Sequence, residues 1–422
     1  MIVIGLMSGT SVDAIDAAAA EFLWRRTEIV LRPLGHAEFP WPDGTRARLL
    51  DALPPAGTSM AEVCALDTLA GEAFGAAADR AVRELAGGRA DLVVSHGQTV
   101  FHWIEGGRAR GTLQIGQPAA IVEATGLPVI SDIRARDVAA GGQGAPLAST
   151  LDALWLAGTD GRRRAALNLG GIANITVVGR AGEPVLGFDT GPANCLLDVE
   201  AARLSNGQRN SDTDGALALS GTVRPDLLAR LLEDAYYSQP APKSTGRELF
   251  HTDYTRERLR GLPPASGPDL MATLTELTAR TVAAACAAHG VVEVVASGGG
   301  TRNPALMAAL RRNLAPAVLL TSEERGLPTD GKEAYLMALL GFLSWHAVPG
   351  VAPGATGSRT PRVLGRISPG DAPLRLPDPA PAPTALVIEP AGPSALPAAD
   401  GPGPSPADYP PAATPDLPSD RA

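Results

Sequence analysis

Apolar and polar positions along this chain alternate between the strand period and the helix period, and the two kinds of segment follow one another in order. Residues 1–7 are a short apolar strand that runs into Ser8-Gly9-Thr10-Ser11-Val12-Asp13-Ala14-Ile15-Asp16, and apolar character resumes over residues 17–23. This predicts strand, polar turn, strand. Residues 59–86 carry helical spacing with an Ala-rich face and stop at Gly87-Gly88, as a helix C-terminus does. Residues 91–94 then read as a buried strand followed by the loop S-H-G-Q-T-V-F-H at 95–102. A second such strand, 127–130, delivers Ser131-Asp132-Ile133-Arg134-Ala135-Arg136-Asp137. Residues 165–178 repeat the opening design, with Gly170-Gly171 as the turn. The apolar pair Val185-Leu186 enters G-F-D-T-G-P-A-N at 187–194, and a helical run covers 195–201. Further helices are predicted over 269–289, 304–314 and 334–345, with a strand at 291–296 that enters Ser297-Gly298-Gly299-Gly300. Alternating strands and helices predict an α/β protein, and two similar hairpins about 160 residues apart predict a duplicated domain.

Composition changes this picture at the C-terminus. Residues 371–422 hold 15 of the chain's 38 prolines and few large apolar residues, so this acidic, Pro/Ala-rich tail is expected to be disordered. Seven acids against two arginines give it most of the chain's net charge of -9, which leaves the body mildly acidic. That balance offers no electrostatic footprint for nucleic acid and no basic face for a membrane surface. No apolar run reaches 18 residues, and the first residues lack a basic flank, so neither a membrane span nor an export signal is expected. Cys64, Cys195 and Cys286 are odd in number and far apart, which fits a reducing cytoplasm better than a disulfide framework or a zinc site. About 370 residues of body exceed one hydrophobic core, so two domains are expected.

Several stretches carry candidate chemistry. The first turn, rich in Gly, Ser and Thr, exposes N–H groups and hydroxyls without bulk, which suits a phosphate chain. Asp13 and Asp16 add carboxylates where a hydrated Mg²⁺ can bridge to phosphate oxygens, Asp13 through water. An ordinary Ser-rich hairpin has the same spacing, and no Walker A loop occurs. Asp189 ends a strand between Gly187 and Gly191, and the helix after it is expected to aim unpaired N–H groups toward whatever the acid faces. It reads either as a turn residue or as a base. Arg134 and Arg136 lie on opposite faces if extended, so one can meet an anion bidentately or form a structural ion pair. His96 reads as a turn-holding residue before it reads as a catalyst. Glu333 opens the last helix, where an acid complements the helix dipole.

The order of these motifs resembles the superfamily of sugar kinases, actin and heat-shock chaperones. More closely, G-L-M-S-G-T-S-V-D-A-I-D, S-H-G-Q-T-V-F-H, Q-I-G-Q-P, A-A-G-G-Q-G-A-P-L, L-N-L-G-G-I-A-N, G-F-D-T-G-P-A-N, P-K-S-T-G-R-E and S-G-G-G-T-R-N resemble the anhydro-N-acetylmuramic acid kinase family, from residue 5 to residue 303, and T-G-S-R-T-P-R-V-L-G extends the likeness to about residue 368. The resemblance implies two duplicated ribonuclease H-like domains of actin and sugar-kinase type around an interdomain ATP cleft: 1–133 completed by 356–368, and 134–355. It implies ATP and Mg²⁺ as cofactors, a cytoplasmic homodimer, and no nucleic-acid or membrane partner. The implied reaction opens the 1,6-anhydro ring of 1,6-anhydro-N-acetylmuramate with water and phosphorylates O6, in cell-wall recycling. Asp189 falls in the position of the water-activating base. Gly9, Thr10, Ser11, Val12, Asp13, Ala14, Ile15 and Asp16 fall on the ATP phosphate loop, with Gly170 and Gly171 on its counterpart in the second hairpin. Gly298, Gly299, Gly300 and Asn303 fall near the adenosine, and Thr99, Arg134 and Glu333 in the sugar pocket, Arg134 against the lactyl carboxylate. Ala14 stands where the family usually has Gly, which narrows backbone approach to the phosphates. A kinase for another anhydrosugar such as levoglucosan, or a nucleotide-gated sugar-binding regulator, is the alternative reading.

Overall fold

The computed structural model describes residues 1–158, 160–246, 248–352 and 354–390. Two sheets carry the fold. The first is built from β1 (Ile2–Ser8), β2 (Ala14–Arg25), β3 (Glu28–Pro40), β4 (Leu92–Glu105), β5 (Arg108–Ile115) and β6 (Val129–Ser131). The second is built from β7 (Arg163–Leu169), β8 (Ile172–Val178), β9 (Leu186–Pro192), β10 (Val291–Ser297) and β11 (Val318–Thr321). Late in the chain β12 (Arg366–Ser368) and β13 (Ala385–Ile388) return to the two edges of the first sheet. The orders are β12-β6-β4-β1-β2-β3-β13 and β11-β10-β7-β8-β9, with β5 paired only to β4. In each sheet, therefore, an antiparallel three-strand meander continues into parallel strands on the side of its first strand.

The sequence explains why the first sheet is covered on both faces. Along β2 the run Ala17-Ala18-Ala19-Ala20 is fully buried, and alternate members go to opposite faces. Ala17 and Ala19 join Ile4, Leu6 and Phe74 of the helix Met60–Leu85, while Ala18, Ala20 and Phe22 join the helix Lys332–Trp345, where Phe22 stacks on Phe342 at 4.9 Å between centroids. The second core runs from Val3 of the first sheet through Leu151 of the helix Ala148–Leu156 to Ala166 and Val295 of the second sheet. The two sheets thus share apolar packing.

Glycines set how closely the helix Lys332–Trp345 lies on its sheet. A Cβ on Gly5 would fall 2.0 Å from the Ala334 carbonyl oxygen and 2.6 Å from the Ala338 nitrogen, both backbone atoms that cannot swing away. Gly5→Ala is therefore expected to lower stability by roughly 1–3 kcal/mol, the usual cost of overpacking, read from the denaturant midpoint at unchanged m. An unchanged midpoint would mean that this helix can slide on β1.

Two sequence expectations need correction. Residues 95–102 are not a loop, because β4 continues to Glu105 and pairs with β5 through a turn at Gly106-Gly107, both at positive φ. The tail is not disordered from its start. β13 pairs in parallel with β3, Leu386 is 3% exposed, and Glu389 accepts hydrogen bonds from Arg25 and Arg32. Four consecutive apolar residues, Ala385 to Ile388, suffice to complete an open edge whatever the prolines around them. The rest of the tail expected to be disordered, 391–422, lies outside the described residues.

Candidate active-site cleft

The acid singled out from sequence is in β9, where Asp189 sits opposite Asn174 of β8. Its carboxylate is held by the segment after Pro242: Oδ2 accepts from Ser244 Oγ at 2.9 Å and from the Thr245 amide at 2.9 Å. Its backbone is held too, since its N–H donates to the Lys243 carbonyl at 3.0 Å and its C=O accepts from the Tyr236 hydroxyl at 2.8 Å. Among the described residues the other oxygen, Oδ1, accepts no hydrogen bond. Ser244 and Thr245 lie in P-K-S-T-G-R-E, where Ser-Thr beside a glycine is the sequence signal for a segment that holds an anion.

Asp189 lines a cavity of about 940 Å³ together with Asp16, Lys243, Gly298, Gly299 and Glu333. A second cavity of about 370 Å³ takes Asn194, the segment Ser211 to Asp214, Arg302 and Asn303, and Gly299 lines both. Gly298, at φ +88, could carry no side chain, because a Cβ would fall 2.6 Å from Asn168 Oδ1. A Cβ on Gly300 would fall 2.7 Å from that of Leu169. These two glycines let the turn after β10 lie on β7, and Gly299 is left facing the cavities. Asn303 does other work as well, capping the helix Pro304–Leu314 by accepting from the Leu306 amide at 3.1 Å.

The first turn contributes less than expected to this cavity. Of residues Gly9 to Asp16, only Asp16 lines it. Val12 adopts φ 53 with its amide on the Gly9 carbonyl, and Asp13, 72% exposed at the side chain, pairs with Arg46 at 3.1 Å. Ala14 already belongs to β2. The helix after Asp189 differs from expectation: its first amides, on Asn194 and Cys195, donate to the Gly170 and Gly171 carbonyls, so these glycines satisfy the helix end rather than leave it to an anion. Neither Thr99 nor Arg134 lines the cavity. Thr99 Oγ1 accepts from Gln114 Nε2, and Arg134 donates to the Gly144 carbonyl, next to the lining residues Gln143 and Ala145.

Charge in the cavity is mostly negative. Burial first, then Glu38, Glu333 and Asp330, raise the Asp16 carboxyl from 3.8 to about 7. Lys332, beside Glu333 and half-buried, pairs with Asp152 at 2.8 Å, which ties the first turn of its helix to the helix Ala148–Leu156. Among the described residues no group of three side chains could hold a metal ion alone. Mg²⁺ does not need one, since it takes most of its oxygens from phosphate and water, and the acidic field of Asp16, Asp330 and Glu333 fits such a cation better than Asp13 on Arg46.

The raised carboxyl has a thermodynamic sign. The folded state binds the Asp16 proton more tightly than the unfolded chain, so its contribution to stability falls as pH rises from about 4 to about 7. Without nucleotide or divalent cation, Asp16→Asn should raise the melting temperature at pH 8 and change it little at pH 4. Equal shifts at both pH values would show that Asp16 titrates normally.

Fold and site define a two-sheet α/β protein whose acids and glycine turns converge on one cleft. The model of the anhydro-N-acetylmuramic acid kinase family matches residues 1–370, and the chain belongs to that family. It is 57% identical over 390 residues to the anhydro-N-acetylmuramic acid kinase of Streptomyces avermitilis, covering 92% of this chain and 100% of that protein. The protein of the same name from Streptomyces coelicolor is 56% identical, covering 90% and 97%, and that of Rhodococcus erythropolis 53%, covering 88% and 94%. A solved ROK hexokinase from Thermus thermophilus overlaps 81% of this chain and 99% of its own at 22% identity and a TM-score of 0.33.

Proposed function

We propose that this protein is an ATP-dependent kinase that hydrolytically opens the 1,6-anhydro bond of 1,6-anhydro-N-acetylmuramate and phosphorylates O6, giving N-acetylmuramate 6-phosphate and ADP. One observation carries the reading: the carboxylate of Asp189, fixed by Ser244 and Thr245, shares a cavity with the glycine turn at Gly298-Gly299 and with Glu333. Asp189 takes the proton of a water that attacks the anomeric carbon. The C1–O6 bond breaks, and O6 receives the γ-phosphoryl group of ATP. Such transfer depends on positioning and on charge stabilisation, which a closed cleft supplies. Asn303 and the smaller cavity would take the adenosine end, and Gly299, which lines both cavities, would leave room for the phosphates. Asp16, Asp330 and Glu333 would attract a Mg²⁺, which would supply charge neutralisation at the phosphates.

The two sheets are read as two copies of one ribonuclease H-like unit, a reading supported by their shared strand order. The first lobe is 1–133 with 356–368 and the second 134–355; β12 on β6 supports the first assignment, whereas the packing of the helix Lys332–Trp345 on β1 favours giving that helix to the first lobe. Family membership supports a cytoplasmic homodimer, the second part measured by light scattering of the purified chain. Among the described residues no helix is long and apolar enough to cross a membrane.

ADP release measured with 1,6-anhydro-N-acetylmuramate, with levoglucosan and with no sugar tests the function. Turnover only with the muramyl sugar is expected. Preference for levoglucosan would move the substrate assignment, and sugar-independent hydrolysis would support a nucleotide-gated regulator.

A further inference from the structure

Arg134 is held in a way that its proposed task does not by itself require. Its Nε donates to His96 Nε2 at 2.8 Å, and its Nη1 donates to the Gly144 carbonyl at 2.5 Å. Nη2 has no hydrogen-bond partner among the described residues. His96 is 2% exposed, and its Nδ1 is 2.8 Å from the Gly97 carbonyl oxygen. A carbonyl oxygen only accepts and a guanidinium N–H only donates, so the ring must carry its proton on Nδ1 and present a lone pair at Nε2. No other tautomer satisfies both contacts. Burial and the neighbouring guanidinium push the imidazole down to about 4, so it stays neutral at working pH.

The choice of partner has an electrostatic consequence. An arginine fixed by a carboxylate spends its charge on that carboxylate, whereas one fixed by a neutral imidazole and a backbone carbonyl is oriented with its positive charge unspent. The acid that acts on Arg134 across space is Glu333, a residue of the cavity wall. Gly144, which accepts from Nη1, lies between two lining residues, so the guanidinium is next to the cavity. The side edge of the fork is closed by His96. An incoming carboxylate must meet the end that carries Nη2.

We infer that His96, as the neutral Nδ1–H tautomer, is a positioning residue that aims the Nη2 end of Arg134 at an anionic group of the sugar and leaves its charge available for that group. The inference rests on the reading of Arg134 as the partner of the lactyl carboxylate. His96 touches neither substrate nor reacting atoms. It acts by removing the rotamers that would carry the guanidinium away.

Steady-state kinetics of the full chain test it, with four substitutions. Arg134→Ala should raise KM for 1,6-anhydro-N-acetylmuramate roughly 10- to 100-fold, the range of a hydrogen bond to a charged group. His96→Leu removes the acceptor and should raise the same KM by about 5-fold or more. His96→Gln should restore most of it, because Oε1 can replace Nε2, while Arg134→Lys should not match wild type. KM for ATP and the inhibition constant of 1,6-anhydro-N-acetylglucosamine, which lacks the lactyl group, should stay within about 2-fold in every variant. If Arg134→Ala leaves the muramyl KM unchanged, the carboxylate reading falls and the inference with it. If Arg134→Ala acts as expected and His96→Leu does nothing, only the inference is overturned. A His96→Leu variant that weakens both sugars and ATP alike gives His96 a structural role and also overturns it. Should His96→Leu not fold, ¹⁵N chemical shifts of the wild-type histidines decide: a neutral Nδ1–H ring from pH 6 to 8 supports the inference, and an Nε2–H or doubly protonated ring ends it.

Discussion

Asp189→Asn should lower turnover at least about 100-fold, within the 10²–10⁴-fold that a general base contributes. The amide keeps the size of the carboxylate, so the contact with Ser244 and the backbone pairing of β9 survive. What it loses is basicity, together with the charge that accepts from the Thr245 amide. Water attack at the anomeric carbon then lacks its base, and because O6 is released only by that attack, phosphate transfer and ring opening should fall together. Affinities for ATP and the anhydrosugar should remain within a few-fold, as isothermal titration can show. Normal turnover would take the base away from Asp189 and leave Asp16 and Glu333, two further acids of the cavity, to be substituted next.

A chain ended at Gly370 should be less stable than the full chain by roughly 2–4 kcal/mol, counting about 1.5–3 kcal/mol for the buried Leu386 and about 1 kcal/mol for the half-buried Ile388. The ion pairs of Glu389 with Arg25 and Arg32 are well exposed and add little. A chain ended at Pro390 keeps β13 and isolates the effect. If the chains ended at Gly370 and at Pro390 melt at the same temperature, β13 rests on the sheet without stabilising it. The strand also lies beyond residue 370, where the family match stops.

The alternation and glycine punctuation made the interior strands and long helices legible in the sequence, because each is fixed by local pattern. β13 was hidden for the opposite reason. Its four apolar residues were averaged into a proline-rich stretch, and only the open edge of β3, remote in sequence, gives them a place to pair. The extension of β4 was missed because His96, Gly97 and Gln98 read as polar loop, although the apolar residues after them and Gly106-Gly107 spelled a hairpin. At the site, Asp189, Glu333 and the Gly298-Gly299 turn were readable as chemistry-bearing groups, and they meet in one cavity. The partners that hold them were not readable. Ser244 lies 55 residues from Asp189, and Lys332 is matched with Asp152 across two helices, pairings that no local spacing announces. The burial of Asp16 beside Glu38, Glu333 and Asp330 is likewise a product of tertiary packing.

The pairing of β13 with β3 also sets an order of events during synthesis. About 350 residues separate the two strands, so at 5–20 residues per second β3 waits roughly 20–70 s after translation before its partner leaves the ribosome. For that interval the 13-residue β3 presents one unpaired row of backbone groups, the kind of edge on which chains associate. Nascent chains halted at Gly370 should therefore be clipped within residues 28–40 faster than chains carried through Pro390, and should be the ones that bind a holding chaperone. Equal clipping rates would mean that another part of the nascent chain shelters this edge until its last strand arrives.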